Sequence, residues 1–265
     1  MLNYEELCTK VINLAGTAAG YIKNELNNKD SLIPEVKGTH NFVTYVDKTV
    51  EKMLVEGLSE LLPESGFIAE EGTSTKKGEI YNWVIDPVDG TTNFIHGVSP
   101  FAVSIGLMQD EEIVLGVIHE IGMNECFHAW KGGGSYLNGK KIQTSKAARV
   151  QDSLVVTGFP YTRYHHIEKF METLYYFMVN SHGLRRLGSA ATDIAYVACG
   201  RFDGFYEYGL NPWDIAAGII ILREAGGKVS DFHGGKNYLY GEEFVAANPY
   251  VFDEFLGCIK NIMVK

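Results

Sequence analysis

The sequence predicts a mixed α/β fold, and three patterns predict it. Residues Ala102–Met108, Ile113–His119 and Glu125–Trp130 are strand-length apolar pieces, parted by turn signals at Asp110-Glu111 and Gly122. Such a series reads as an antiparallel meander. The C-terminal half alternates strand-like with helical runs, the mark of a mixed sheet covered by helices. Two amphipathic helices precede both.

The elements follow in order. Leu7, Val11, Leu14, Ala18 and Ile22 fall at spacings of three and four, so residues 4–26 are a helix with one apolar face. Residues 28–43 are polar, carry Pro34 and Gly38, and read as a loop. Asp47–Leu62 is a second helix, with Val50, Met53, Leu54, Leu58 and Leu61 inward and Pro63 as its stop. Phe67-Ile68-Ala69 is a short strand running into Glu70 and Glu71. After a polar stretch at 72–82, Trp83-Val84-Ile85 reads as a buried strand that ends on Asp86. Asp89 follows inside a tight Pro/Gly turn, and Thr91 and Thr92 open a helix. Beyond the meander, Gly132-Gly133-Gly134 and Asn138-Gly139 mark further turns. The composition turns polar around Ser145–Asp152, which places a boundary between an N-terminal α+β subdomain, 1–148, and a C-terminal α/β subdomain, 149–265.

In the second subdomain, strands are predicted at Leu154–Thr157, near 184–187, and at Phe202–Tyr208, Lys228–Ser230 and Phe244–Ala247. Helices are predicted near 163–180 and 190–199, at Trp213–Glu224 and at Val251–Met263. There is no internal repeat.

With 265 residues and 46% hydrophobic content, the chain is long enough for a sizeable core. The formal net charge of −10 makes nucleic acid an unexpected partner. A phosphorylated small molecule is still allowed, because a bound divalent cation inverts the local field. No apolar stretch of membrane-spanning length and no signal-peptide pattern is seen, so a cytoplasmic protein is expected. Cys8, Cys126, Cys199 and Cys258 are scattered and read as free thiols.

Four acids share one property: each sits where an element ends. Glu70 closes one strand and Asp86 the next, Asp89 lies in the turn, and Asp214 opens a helix after Asn211-Pro212-Trp213. Ligand sites in α/β folds gather at strand ends and helix starts. Four carboxylates brought together repel and demand protons or cations. An all-oxygen donor set favours Mg²⁺ over Zn²⁺. Asp86 is placed to bridge two ions roughly 4 Å apart, a pair that clamps both oxygens of a phosphoryl transfer. Pro87 presets the backbone so that the Val88 carbonyl can point to a metal. Gly90 and Thr91 offer N–H groups for phosphate oxygens, and the Thr91 hydroxyl can orient a water. Each acid also has a plainer reading: Asp-Pro-x-Asp-Gly is an ordinary type I turn, Glu70-Glu71 a solvated pair, and Asp214 a helix-start acid. Only their conjunction favours a site.

Other motifs do not carry chemistry. The segment Gly134–Lys141 nearly spells a P-loop but lacks its final Ser/Thr, and reads as a hairpin turn. His165-His166 reads as a solvated helix face, and Trp213 as packing behind Asp214. Gly188-Ser189-Ala190 does not match a nucleophile elbow.

Taken together, these residues resemble the inositol monophosphatase family. The likeness is carried by Ala69-Glu70-Glu71-Gly72, by Asp86-Pro87-Val88-Asp89-Gly90-Thr91-Thr92-Asn93-Phe94, and by Trp213-Asp214-Ile215-Ala216-Ala217-Gly218 with Ala225-Gly226-Gly227 further on. The resemblance implies a layered αβαβα sandwich with an antiparallel N-terminal sheet and a mixed C-terminal sheet. It implies lithium-sensitive, Mg²⁺-dependent hydrolysis of a phosphate monoester and a homodimer. It assigns one Mg²⁺ to Glu70, Asp86 and the Val88 carbonyl, a second to Asp86, Asp89 and Asp214, and a third near Glu70 through water. Thr91, supported by Asp47, would position the attacking water. Gly90, Thr91, Ser189, Ala190 and Glu207 would contact a phosphorylated polyol or sugar.

The run Gly200–Glu207 looks like the bacterial branch. Lys37 stands about one residue out of register with the family's loop lysine. Asn211 differs from the polar residues relatives carry near the polyol. The substrate expected first is myo-inositol monophosphate. Fructose 1,6-bisphosphate, 3′-phosphoadenosine phosphate and the 2′-phosphate of NADP are alternatives. A regulator that binds RNA polymerase or RNA is the alternative of another class.

Overall fold

The computed structural model describes residues 2–26, 35–38, 41–160 and 164–264. Helix α1 (Tyr4–Leu26) and helix α2 (Tyr45–Leu61) flank a two-stranded hairpin, β1 (Glu35–Gly38) and β2 (Asn41–Val43). The loop expected over 28–43 is thus corrected at 35–38 and 41–43, which pair as antiparallel strands; the rest of that stretch, 28–34 and 39–40, lies outside the described residues. Lys37 lies on β1, where the side chains fall outside the description.

The large sheet has seven strands in sequence order: β3 (Gly66–Ala69), β4 (Tyr81–Asp89), β5 (Ala102–Gln109), β6 (Glu112–Glu120), β7 (Glu125–Trp130), β8 (Gly134–Leu137) and β9 (Lys140–Ile142). From β4 onward every pairing is antiparallel, as the meander predicted. The expectation of a wholly antiparallel sheet is corrected at one edge, because β3 pairs parallel with β4. The crossing segment 70–80 carries the chain back to the start of the sheet, so β3 and β4 run the same way. The near P-loop is a hairpin turn between β8 and β9, with Asn138 and Gly139 both at positive φ.

The second sheet holds β10 (Leu154–Thr157), β11 (Gly183–Arg185), β12 (Gly204–Tyr208), β13 (Lys228–Ser230) and β14 (Glu243–Ala247), in the order β11-β10-β12-β14-β13. Strand β10 is parallel to β11 and β12, while β14 is antiparallel to β12 and β13, so this sheet is mixed as expected. The helices are α3 (Thr91–His96), α4 (Ile167–Asn180), α5 (Ala190–Ala198), α6 (Pro212–Glu224) and α7 (Phe252–Met263). His165 and His166 precede α4 in a turn instead of lying on its face. We propose 148/149 as the subdomain boundary: every strand of the large sheet lies before it and every strand of the small one after.

Three cores define five layers. On β4 and β5, Trp83, Ile85, Val103, Ile105 and Leu107 pack under α1 and α2. The opposite face, through Val84, Ala102 and Ile118, meets α5 and α6, which in turn cover Val156, Phe205, Phe244 and Ala246 of the small sheet. The far side of that sheet packs on α4 and α7 through Val155, Tyr206, Phe170 and Phe255. The order is αβαβα. Its middle layer explains why Ile215–Leu222 of α6 are buried without a break: a helix between two sheets has no solvent face. Glycine lets α6 come close. A Cβ on Gly116 would stand 2.5 Å from the Ala217 carbonyl oxygen. Close approach sets the N-terminus of α6 against β4 and β5, where the Ser104 hydroxyl donates to the Trp213 carbonyl at 3.4 Å.

Candidate active site

The parallel pairing of β3 and β4 aligns Ala69 with Ile85, so the next residues, Glu70 and Asp86, leave the strands side by side. The Glu70 N–H donates to the Ile85 carbonyl at 3.2 Å. Asp86 and Asp89 would face opposite ways on a regular strand, being an odd number of residues apart. The pairing shows why they do not: Asp86 lies opposite Ser104 and Asp89 opposite Ala102, three steps against two. The extra residue is a β-bulge. Pro87 has no N–H to offer the ladder, and the Val88 N–H turns back to Asp86 Oδ1 at 2.9 Å. The tight turn expected at 86–90 is therefore a bulged strand end. It closes at Gly90, whose φ of +89° suits glycine, and α3 starts at Thr91.

Helix starts deliver the other acids. Asp47 and Asp214 occupy the same place in two capping boxes. Asp47 Oδ2 accepts from the Thr44 N–H at 2.8 Å and the Thr44 hydroxyl at 2.6 Å. Asp214 Oδ2 accepts from the Asn211 N–H at 2.7 Å. Asp89 caps a helix it does not belong to: its Oδ2 accepts from the Ala191 N–H at 2.8 Å and the Ser189 hydroxyl at 2.6 Å, both at the start of α5. Each carboxylate is thereby oriented by main-chain donors and a favourable dipole.

One pocket is lined by Glu70, Asp86, Val88, Asp89, Gly90, Thr91, Ser189, Ala190, Glu207 and Asp214. Of the residues singled out from sequence, Asp47 is absent from the wall. It stands behind, where the Thr91 hydroxyl lies 3.2 Å from Asp47 Oδ1 and 3.0 Å from the Val88 carbonyl oxygen. Ser189 is on the wall but its hydroxyl is turned to Asp89, and its oxygen caps α5 by accepting from the Thr192 N–H. Asn211 and Trp213 also reach the wall.

The charges are frustrated. Burial, then Glu70, Asp89 and Asp214, push the Asp86 carboxyl well above its ordinary range. Asp214 is raised likewise by burial and then by Asp89. Burial lifts Asp89 to about 6, against the pull of its Ser189 and α5 donors. Glu207 is raised by burial, then by Asp214 and Asp89. Behind them, burial also raises Asp47, against its bonds to Thr44. Acids in this state take up protons or a cation. The donor set, carboxylate and carbonyl oxygens alone, fits a hard divalent ion by atom type and charge. Among the described residues no three His, Cys, Asp or Glu side chains are closed on one point as a ready metal cluster; the acids ring the pocket instead.

Sequence reasoning missed several contributors. Glu51, fully buried one helical turn after Asp47, accepts from the Glu71 and Thr73 N–H groups, each at 2.7 Å, and so pins the segment that carries Glu70. Its spacing of four from Asp47 was the available signal. Gly158 backs Glu207: a Cβ there would stand 2.1 Å from that carboxyl. Arg186, Phe159 and Asp193 also line the pocket. No spacing rule marks the first two.

The layered fold and its carboxylate-ringed pocket define a class, the layered α/β proteins with an acid-rich pocket. The chain belongs to the inositol monophosphatase family, whose profile matches residues 3–261. An inositol-1-monophosphatase of Mesorhizobium japonicum is 37% identical over 255 residues, 96% of each chain. The Nus factor SuhB of Escherichia coli is 38% identical over 251 residues, 94% of each chain. The solved inositol monophosphatase of Anabaena (Nostoc) sp. PCC 7120 superposes with a TM-score of 0.88 at 32% identity, covering 98% of both chains.

Proposed function

We propose that this chain hydrolyses the phosphate monoester of a polyol, myo-inositol monophosphate first among them, with Mg²⁺ as its cofactor. The observation that carries the reading is the single pocket shared by Glu70, Asp86, Asp89 and Asp214, acids whose mutual repulsion needs a cation. Glu70, Asp86 and the Val88 carbonyl would hold one ion, and Asp86, Asp89 and Asp214 a second. The chemistry Mg²⁺ supplies when bound is positive charge, which offsets the carboxylates and the phosphate.

The chain's own residues do the rest. The Thr91 hydroxyl donates a hydrogen bond to the Asp47 carboxylate. Its oxygen lone pair is then free to accept a hydrogen bond from a water and aim that water at phosphorus. The water oxygen bonds to phosphorus as the ester P–O bond breaks; one of the water's protons stays on the phosphate and the other ends on the leaving oxygen, which departs as the alcohol. The Gly90 and Thr91 N–H groups, at the start of α3, suit the phosphate oxygens. Glu207 and the α5 start at Ser189-Ala190 face the alcohol part. A carboxylate there accepts from hydroxyl groups.

The test is a panel of phosphate esters assayed with titrated Mg²⁺ and with lithium. Inositol monophosphates turned over fastest, with loss of rate in lithium, support the reading. A preference for fructose 1,6-bisphosphate, 3′-phosphoadenosine phosphate or NADP moves the substrate and keeps the chemistry. No Mg²⁺-dependent hydrolysis of any ester ends it.

The Nus factor name of the Escherichia coli relative favours a second reading, a regulator that binds RNA polymerase or RNA. The net charge of −10 weighs against direct RNA contact. Recovery of RNA polymerase from extract by a catalytically inactive variant would support it. A homodimer belongs to the first reading. Met171, Tyr175, Met178 and Val179 form an exposed apolar stripe along α4 that a second copy could cover, and light scattering would test it. Among the described residues no helix is long and apolar enough to cross a membrane. A cytoplasmic location is part of the proposal.

A further inference from the structure

Behind the pocket, one carboxamide joins two sides of its wall. Asn93 lies on α3, two residues after Thr91, and is not part of the lining. Its Nδ2 donates to the Pro100 carbonyl at 2.8 Å and to the Leu187 carbonyl at 2.8 Å. Carbonyl oxygens only accept, so the nitrogen end of the amide is the end that faces both. An amide nitrogen carries two N–H groups, and both are spent here. Pro100 leads into β5 of the large sheet, while Leu187 follows β11 of the small one. The two bonds thus tie α3 to both subdomains.

The seam between those subdomains is tight at this point. A Cβ on Gly188 would stand 2.9 Å from Asn93 Nδ2, and a Cβ on Gly90 would stand 3.0 Å from the Gly188 carbonyl oxygen. Asp89 also crosses the seam, to the Ser189 hydroxyl and the Ala191 N–H, but in the proposed function its carboxylate also serves a cation. Asn93 carries no charge and stands outside the pocket, so its tie does not depend on the ion. On one side of the seam are Gly90 and Thr91, assigned above to the phosphate. On the other is Ser189-Ala190, assigned to the alcohol part. An ester of fixed length is held well only when the spacing of those two sides matches it.

We propose that Asn93 is a positioning residue: its carboxamide fixes the spacing between the phosphate side and the alcohol side of the pocket, and so sets specificity for esters gripped at both ends. The inference rests on the phosphatase reading above and deepens it.

The test compares myo-inositol 1-phosphate with phenyl phosphate, whose alcohol part carries no further hydroxyl, on the Mg²⁺-loaded enzyme. Asn93→Ala removes both donors and adds no charge. The expected result is a kcat/KM for the inositol ester lowered at least about tenfold, chiefly through KM, as the loss of two hydrogen bonds allows. Both constants for phenyl phosphate stay within about twofold. Amide hydrogen exchange on the metal-free protein gives a second readout. The Ala191 N–H, held by Asp89 across the seam, should exchange at least about fivefold faster, with β6 unchanged. Should Asn93→Ala not fold, Asn93→Ser, which keeps a polar group at the seam, is expected to shift the same KM and the same amide. A parallel loss on both esters would show that Asn93 only supports the fold, and would overturn the proposal. So would unchanged constants on both, or an Ala191 amide that exchanges as in the wild type. If the wild type hydrolyses neither ester, the phosphatase reading fails and this role with it. If it hydrolyses both and the variants keep its preference, only the role of Asn93 fails.

Discussion

Asp86→Asn separates the electrostatics of the pocket from its packing. Asp86 is 2% exposed, and burial together with Glu70, Asp89 and Asp214 disfavours its charge. Asparagine resembles the protonated form, so the metal-free variant should be at least as heat-stable as the wild type. The response to Mg²⁺ should move the other way. At an ion concentration a hundredfold above Kd, binding stabilises the wild type by about 2.7 kcal/mol. For a chain of this size that is roughly 5–11 °C in Tm. If losing the Asp86 charge weakens affinity about a hundredfold, the same concentration equals the new Kd. The gain then falls to about 0.4 kcal/mol, roughly 1–2 °C. Turnover should drop at least about a hundredfold. Thermal melts with EDTA and with Mg²⁺, followed by phosphate release, measure all three. A variant that melts lower without metal yet keeps the full Mg²⁺ shift would mean that the Asp86 charge neither strains the pocket nor binds the ion.

Three further outcomes follow from the same geometry. Glu51→Gln puts a donor against one of two buried N–H groups; a loss of about 2 kcal/mol, roughly 4–8 °C, should come with weaker Mg²⁺ binding, read by calorimetry. Gly158→Ala forces its new methyl into the Glu207 carboxyl, so KM for an inositol ester should rise at least about tenfold while phenyl phosphate is spared. The metal-free protein should lose stability as pH rises. Asp89 has an ordinary value of 3.8 and a folded value of about 6. Between them the folded state holds the proton that the unfolded state has released, so stability is fully present below about 4. On the order of 3 kcal/mol is gone above about 6, as urea titrations in EDTA would record. Added Mg²⁺ should abolish that fall.

Much of this molecule could be read from its letters. The meander was legible because Ala102–Trp130 alternates apolar runs with turn residues, and the α/β half because its helical and strand periods differ. The layered arrangement and the site came through the likeness carried by Asp86–Phe94 and Trp213–Gly218. What was not legible depends on contacts between distant segments. The bulge at Pro87-Val88 looks like a turn in sequence, because only the register against Ala102 and Ser104 shows that the strand continues. Hairpin β1–β2 lacks alternation, and only the pairing of its two strands reveals it. Glu51 reads as helix interior, since nothing local says that it anchors main chain after β3.

Under the proposed function, the ringed acids hold a divalent ion beside the phosphate. Crystals soaked in Mn²⁺, which replaces Mg²⁺ and scatters anomalously, test it most directly. Anomalous peaks are expected inside the pocket, bounded by Glu70, Asp86, Asp89 and Asp214, together with their loss in Asp86→Asn. Peaks confined to other parts of the surface, or none at millimolar Mn²⁺, would contradict it.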